Sequence, residues 1–291
     1  MRIRWNSLVA ATAAALVLAA CAPADEGSTS PATDAAPTTA ATTQSPAVLA
    51  TLTPGKLTIG TSEPAYEPWM VDDDPTNQKG YESAVAYAVA EKLGFAADDV
   101  VWVRDTFEQI IAPGAKDFDL AINQVSITDE RKASLDFSSS YYDTAQAVVT
   151  LSSSPAADAT SLADLKAVKI GATVGTTSLT SAQRTIAPTT DVQVFNDNDQ
   201  LVQALQAGLV DAIVLDLPTA LYVGGVELDG GVVVGQLADS AGGDSFGFVL
   251  DKGSSLTAPV TAAVDALRAD GTLANLQAKW LTDAAGAPVL Q

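Results

Sequence analysis

From residue 56 onward, short apolar runs alternate with stretches of helical periodicity. Lys56-Leu57-Thr58-Ile59-Gly60 alternates as a strand does, Val85, Val89 and Leu93 recur at four-residue spacing ahead of Gly94, and 100–103 is again an apolar β-type run. Strand, helix and strand in that order predict a βαβ unit. The scheme continues with a helix over 107–111 and strands at 120–122 and 147–151. A second series follows: helix 162–166, strand 168–172, a helix from Ser178, strand 192–195, helix 201–207 and strand 212–215. Such alternation predicts parallel sheets covered by helices on both faces. Ligands of these sheets sit beyond the carboxyl ends of the strands, so the loops after Gly60, Val103, Ile122, Val174 and Leu215 are the candidate site.

The first fifty residues have a different pattern. Arg2 and Arg4 precede an apolar stretch from 8 to 20, which ends in Leu18-Ala19-Ala20-Cys21. A positive start, a short apolar core and small residues before a cut describe a secretory signal, and the stretch is short for a membrane-spanning helix. With cysteine directly after the small residues, the segment resembles a bacterial lipobox, in which Cys21 would be lipidated and become the first residue after cleavage. An incidental cysteine behind an ordinary secretory signal is the alternative. From residue 22 to about 50 the chain is Ala, Thr, Ser and Pro with only Asp25, Glu26 and Asp34 charged, which is too little apolar bulk to fold. A flexible tether of roughly thirty residues spans about 30 Å.

Composition narrows the chemistry. The 291 residues include 15 Lys plus Arg, 35 Asp plus Glu, one Cys and no His. Ser-His-Asp and Cys-His catalysis, imidazole metal sites and internal disulfides are therefore excluded. A net charge of −20 without a basic cluster also excludes nucleic acid as a partner. The excess acid is consistent with a protein kept soluble by its charge.

The loop after Ile122 carries the most specific signal. It reads Asn123-Gln124-Val125-Ser126-Ile127-Thr128-Asp129-Glu130-Arg131, and Asp136-Phe137-Ser138-Ser139-Ser140-Tyr141 follows. A polar pair, Ser-x-Thr-x-x-Arg and, five residues on, Asp-Phe-Ser-x-x-Tyr resemble the signature of family 3 solute-binding proteins, the polar amino-acid receptors of ABC importers. The similarity runs from 55 to 281 and includes 60–69, 80–94, 201–211, Asp270-Gly271-Thr272 and Lys279-Trp280. The resemblance implies an α/β, type II periplasmic-binding-protein fold, with two α/β lobes joined by a two-strand hinge. It divides the chain into a lipoprotein signal at 1–20, a lipidated Cys and tether at 21–54, lobe 1 at 55–143 and 246–282, lobe 2 at 144–245, and a tail at 283–291. A monomer, held extracytoplasmically by lipid and docking on permease subunits, is implied. No cofactor is implied.

An amino acid presents a planar carboxylate, which an Arg fork meets with two parallel charge-assisted hydrogen bonds. Arg131 is the natural clamp, with Ser126 and the helix start near Thr128 as further donors. Its alternative is a surface Arg paired with Asp129 or Glu130. In the family, the acid matching Asp216 receives the ligand's α-ammonium; Asp216 would otherwise cap the helix led by Pro218. Gly175-Thr176-Thr177 follows a strand and opens a helix, which offers the Thr177 N–H to the carboxylate. Tyr66 and Phe107 match the family's aromatic pair around the ligand's aliphatic stem, and Trp69 reads as core.

Two departures leave the side-chain specificity open. One extra residue lies between Gly60 and Tyr66, so Glu63 has no assigned counterpart, and the Asn123-Gln124 pair is bulkier than the small residues frequent there. The same fold hosts dehydratases of cyclic carboxylates such as prephenate and arogenate, for which Glu63 or Glu67 would be the acid. A sensory domain is a third reading, disfavoured by the lipid signal.

Overall fold

A computed structural model describes residues 49–238, 243–281 and 287–291. The signal, Cys21 and nearly all of the tether lie outside the described residues.

The first lobe is built on a five-stranded sheet of order β2-β1-β3-β12-β4. Its β1, Leu57–Ser62, is buried along its whole length and runs parallel to β2, Val100–Asp105, and to β3, Leu120–Ala121. Its alternation places Leu57 and Ile59 in the core, and Thr58, Thr61 and Ser62 are buried as well because both faces of the sheet are covered. The remaining strands, β4 at Leu135–Phe137 and β12 at Val249–Asp251, pair antiparallel, and β12 also runs antiparallel to β3. Helix α1, Tyr81–Lys92, turns Val85, Ala86, Val89 and Ala90 into the core, so the four-residue spacing seen in the sequence is its buried face. Gly80 opens this helix at φ 91°, and a Cβ there would lie 2.3 Å from the Trp69 carbonyl oxygen, so only glycine fits. Short helices α2, Phe107–Ile111, and α3, Asp129–Lys132, follow β2 and β3.

The second lobe is a six-stranded sheet of order β13-β10-β6-β9-β7-β8. Antiparallel pairs join β6, Gln146–Leu151, to β9, Ala212–Asp216, and to β10, Gly231–Leu237. Strand β7, Ile170–Thr173, runs parallel to β9 and to β8, Gln193–Phe195. Helices α4 (Leu162–Leu165), α5 (Thr177–Ser181), α6 (Asn198–Gln206) and α7 (Leu217–Tyr222) connect them. Residues expected only as a tail form β13, Val289–Leu290, parallel to β10.

Between the sheets, β5 at Tyr142–Thr144 pairs antiparallel with β11 at Asp244–Phe246, Thr144 facing Asp244. These are the two hinge strands. The chain crosses there and later returns, which is why both sheets are mixed rather than all parallel. Trp69 anchors the hinge: it is fully buried, meets Tyr142 and Phe246 edge-on at 5.6 and 5.7 Å, and donates Nε1–H to Thr219 Oγ1 of α7 at 2.8 Å. Helices α8, Thr257–Ala269, and α9, Thr272–Trp280, return to pack on α1. Among the described residues no helix is long and apolar enough to cross a membrane.

Candidate ligand-binding site

Strands β1, β3, β7 and β9 all end at one cleft between the lobes, so Ser62, Thr173 and Asp216 reach it directly from strand termini and Asn123 from two residues beyond β3. The cleft encloses about 870 Å³ including its open mouth. All nine residues expected to bind ligand line it: Tyr66, Phe107, Asn123, Gln124, Ser126 and Arg131 from the first lobe, Thr176, Thr177 and Asp216 from the second.

Arg131 does not pair with its acidic neighbours. Asp129 meets Lys132 instead, at 3.6 Å, while the Arg131 guanidinium lies 5.5 Å over the Phe107 ring. Its Nη1 donates to Ser126 O at 2.7 Å and its Nη2 crosses to Gly175 O of the second lobe at 2.9 Å. The backbone N–H of Arg131 is held at 3.2 Å by Thr128 Oγ1, the N-cap of α3, so capping aims the side chain. Ser126 is 2% exposed, and its Oγ lies 3.1 Å from Thr177 Oγ1 across the cleft. Thr176 is a cap as much as a lining residue: its Oγ1 accepts from Leu179 N at 3.1 Å and donates to Thr173 O at 2.6 Å. Its hydroxyl is thereby committed to α5, leaving Thr177 as the forward-facing member of the pair.

Asp216 stands at the N-cap position of α7 yet makes no side-chain cap bond. Its Oδ1 accepts from Gln146 Nε2 at 2.6 Å instead. Burial first, and the neighbouring Asp244 charge second, push its carboxyl up to about 8 against the counter-effects of Gln146 and Arg131. Tyr66 accepts from Asp199 N across the lobes at 3.4 Å, and burial raises its phenol well above the usual range. Asn123 Oδ1 accepts from Ser62 Oγ at 2.9 Å, while Gln124 sits in the left-handed region at φ 46°. Glu63 lines the cleft, but Glu67 lies beside Tyr222 in an adjoining cavity of about 280 Å³.

The unusual backbone of Gln124 has a support that sequence reasoning missed. Glu82, fully buried in the first turn of α1, accepts from the Gln124 N–H at 2.7 Å and also from its side-chain amide and from Tyr141 Oη. Desolvation raises its carboxyl from 4.5 to about 7, against those three donors. Glu82 thus favours folding below about pH 4.5, and that contribution is lost as pH rises through about 7. Glu82→Gln is expected to flatten the fall in melting temperature between pH 4.5 and 7 relative to wild type. Equal slopes in thermal unfolding would show that Glu82 is not the titrating group.

The sequence profile of the bacterial extracellular solute-binding proteins, family 3, matches residues 57–283. The chain belongs to this family. An L-arginine-binding protein of Pseudomonas aeruginosa is 31% identical over 228 residues, covering 76% of this chain and 86% of the relative. The L-cystine-binding protein TcyJ of Escherichia coli is 30% identical over 230 residues, 78% of this chain and 82% of the relative. Among solved structures, an ancestral arginine-binding protein bound to glutamine superposes with a TM-score of 0.68 at 31% identity, covering 78% of this chain and 98% of that one. The type II periplasmic-binding-protein fold read from the sequence is therefore that of this family 3 protein. The two bacterial relatives are binding proteins rather than enzymes.

Other cleft residues of this solute-binding protein carried no warning in the sequence. Asn196 and Asp197 reach it from the loop into α6, Asn198 from the first position of that helix, and Thr219 from α7. Gln146 had a faint signal, a lone amide opening the apolar run Ala147-Val148-Val149.

Proposed function

We propose that this protein is the substrate-binding component of an ABC importer, that it captures an amino acid between its lobes, and that it performs no chemistry on it. The observation that carries this reading is the placement of Arg131 and Asp216 on opposite walls of one cleft. A zwitterion between them gives each buried charge a partner of opposite sign, where an unpaired one costs several kcal/mol. Ser126 and Thr177 add hydroxyl donors beside the clamp, and Phe107 and Tyr66 offer faces to the ligand's aliphatic stem. The arginine-binding and cystine-binding relatives support an amino-acid ligand.

Lobe 1 then comprises 55–143 and 246–282, and lobe 2 144–245. Bonds from Arg131 to Gly175, Ser126 to Thr177 and Trp69 to Thr219 join the lobes in a closed arrangement. A ligand touching both walls shifts the population toward that state by its differential affinity. Release requires the permease to draw the lobes apart. A thermal-shift screen of the twenty amino acids tests the reading, because a ligand at a hundred times its Kd stabilises by about 2.7 kcal/mol. No shift with any of them would reject it, and turnover of prephenate or arogenate would favour the dehydratase reading.

The lipobox-like run ending in Cys21 supports an extracytoplasmic protein held by lipid. Cys21→Ala is expected to move the protein from the membrane pellet to the soluble or secreted fraction. An unchanged distribution would remove the lipid anchor from the proposal.

A further inference from the structure

Gln146 is the first residue of β6, and its side chain is fully buried. Its Nε2 donates to Asp216 Oδ1 and to Asp244 Oδ2, each at 2.6 Å, while its Oε1 accepts from Ser178 Oγ of α5 at 2.6 Å. Those two carboxylate oxygens, sharing one nitrogen, lie no more than twice 2.6 Å apart. Among the described residues, neither acid is within salt-bridge distance of a Lys or Arg. The arrangement is tied to the hinge: Asp244 opens β11 opposite Thr144 of β5, and Gln146 follows β5 by two residues.

Two half-buried carboxylates at this separation repel, and sharing one proton relieves both the repulsion and the desolvation. An incoming ammonium brings the same positive charge with three donors. We infer that Gln146, Asp216 and Asp244 form a proton-exchanging receiver for the ligand's α-ammonium: Gln146 is the positioning residue, the two acids share one proton before the ligand arrives, and that proton leaves to solvent as the ammonium takes its place. The inference rests on the amino-acid reading of the cleft. One H⁺ departs from the acid pair, the ammonium keeps its hydrogens, and no bond to carbon changes. The charge of the site stays at −1, from one carboxylate beforehand to two carboxylates and an ammonium afterwards.

The groups facing Asp216 fix the direction of the effect. Asp244 of β11 and Glu82 of α1 raise its carboxyl together with burial, whereas Arg131 of α3 and the Gln146 amide of β6 lower it, and Tyr142 of β5 also feels its charge. Gln146 additionally reaches Thr177 Oγ1 at 3.3 Å, so one amide touches both the ammonium receiver and the threonine beside the carboxylate clamp.

The test is isothermal titration of the purified protein in buffers of different ionisation enthalpy between pH 6 and 8. L-Arginine and L-glutamine are the first probes, followed by the other eighteen standard amino acids. Wild type is expected to release close to one proton per ligand at pH 6 and about half a proton at pH 8, with Kd tightening by up to about tenfold per pH unit in the acid half of that range. Asp244→Asn removes the repelling charge but not the burial, and is expected to bring release below the wild-type value at both pH 7 and pH 8. Gln146→Leu removes the shared donor and is expected to keep release close to one proton even at pH 8. Opposite displacements of one pH profile are a readout that a merely structural role does not give. Binding without proton release in wild type, or variants moving the profile the same way, would overturn the inference while leaving the amino-acid reading intact. If no amino acid binds, that reading falls and this one with it.

Discussion

Arg131→Ala is expected to weaken amino-acid binding by at least about a hundredfold while the protein stays folded. Two charge-assisted hydrogen bonds from a guanidinium fork contribute about 1.5 to 3 kcal/mol each, and removing one partner of a buried ion pair costs about 3 to 5 kcal/mol, with about 1.4 kcal/mol per factor of ten. The side chain also donates to Ser126 O and Gly175 O, so its loss loosens one of the bonds that close the lobes. It contributes little to the core, because its guanidinium lies over Phe107 at the cleft wall. Arg131→Lys separates the two contributions: it keeps the charge but not the planar fork, and should recover only part of the affinity. Isothermal titration gives the affinities, and thermal unfolding without ligand checks the fold. If Arg131→Ala binds the same amino acid within about threefold of wild type, the carboxylate clamp is elsewhere.

What the sequence made legible, and what it hid, follows from the length of each signal. The helix from Tyr81 was readable because Val85 and Val89 repeat over a full twelve-residue element closed by Gly94. Strand β1 was readable from its alternation, and β9 as an apolar run ahead of Asp216. By contrast β4, β5, β11 and β12 are three residues each, too short for any period to show, and their pairing partners lie about a hundred residues away. The hinge was therefore accessible only through family resemblance.

The site divides in the same way. Ser126, Thr128 and Arg131 lie close together in sequence at the entry to α3, so their spacing carried information about the clamp. The supports behind them come from distant elements: Glu82 from the start of α1, Gln146 from β6 and Asp244 from β11. Each is a polar residue placed where burial is costly, and its reason becomes visible only when the fold brings its partners together. Asp216 is the clearest case. Its position before Leu217-Pro218 suits a cap, but the carboxylate turns away from α7 and toward Gln146.

That choice makes Asp216→Asn the other experiment with a large expected effect, and its two readouts should move in opposite directions. The amide keeps the shape and can still meet the Gln146 side chain after a flip, but it cannot neutralise an ammonium. Affinity should fall by at least about a hundredfold, since removing one partner of a buried ion pair costs roughly 3 to 5 kcal/mol. Stability without ligand should rise instead. The folded carboxyl sits near 8, above its ordinary 3.8, so protonation favours the fold below about 3.8 and that contribution is lost as pH rises through about 8. Asparagine has no such loss, and the melting-temperature difference between variant and wild type should therefore widen in the variant's favour from pH 4 to pH 8. A residue retained for packing would show binding and stability falling together, and that outcome would reject Asp216 as the ammonium receiver. A gain in stability with a loss of binding would instead identify Asp216 as a carboxylate held in an unfavourable place for the ligand it meets there.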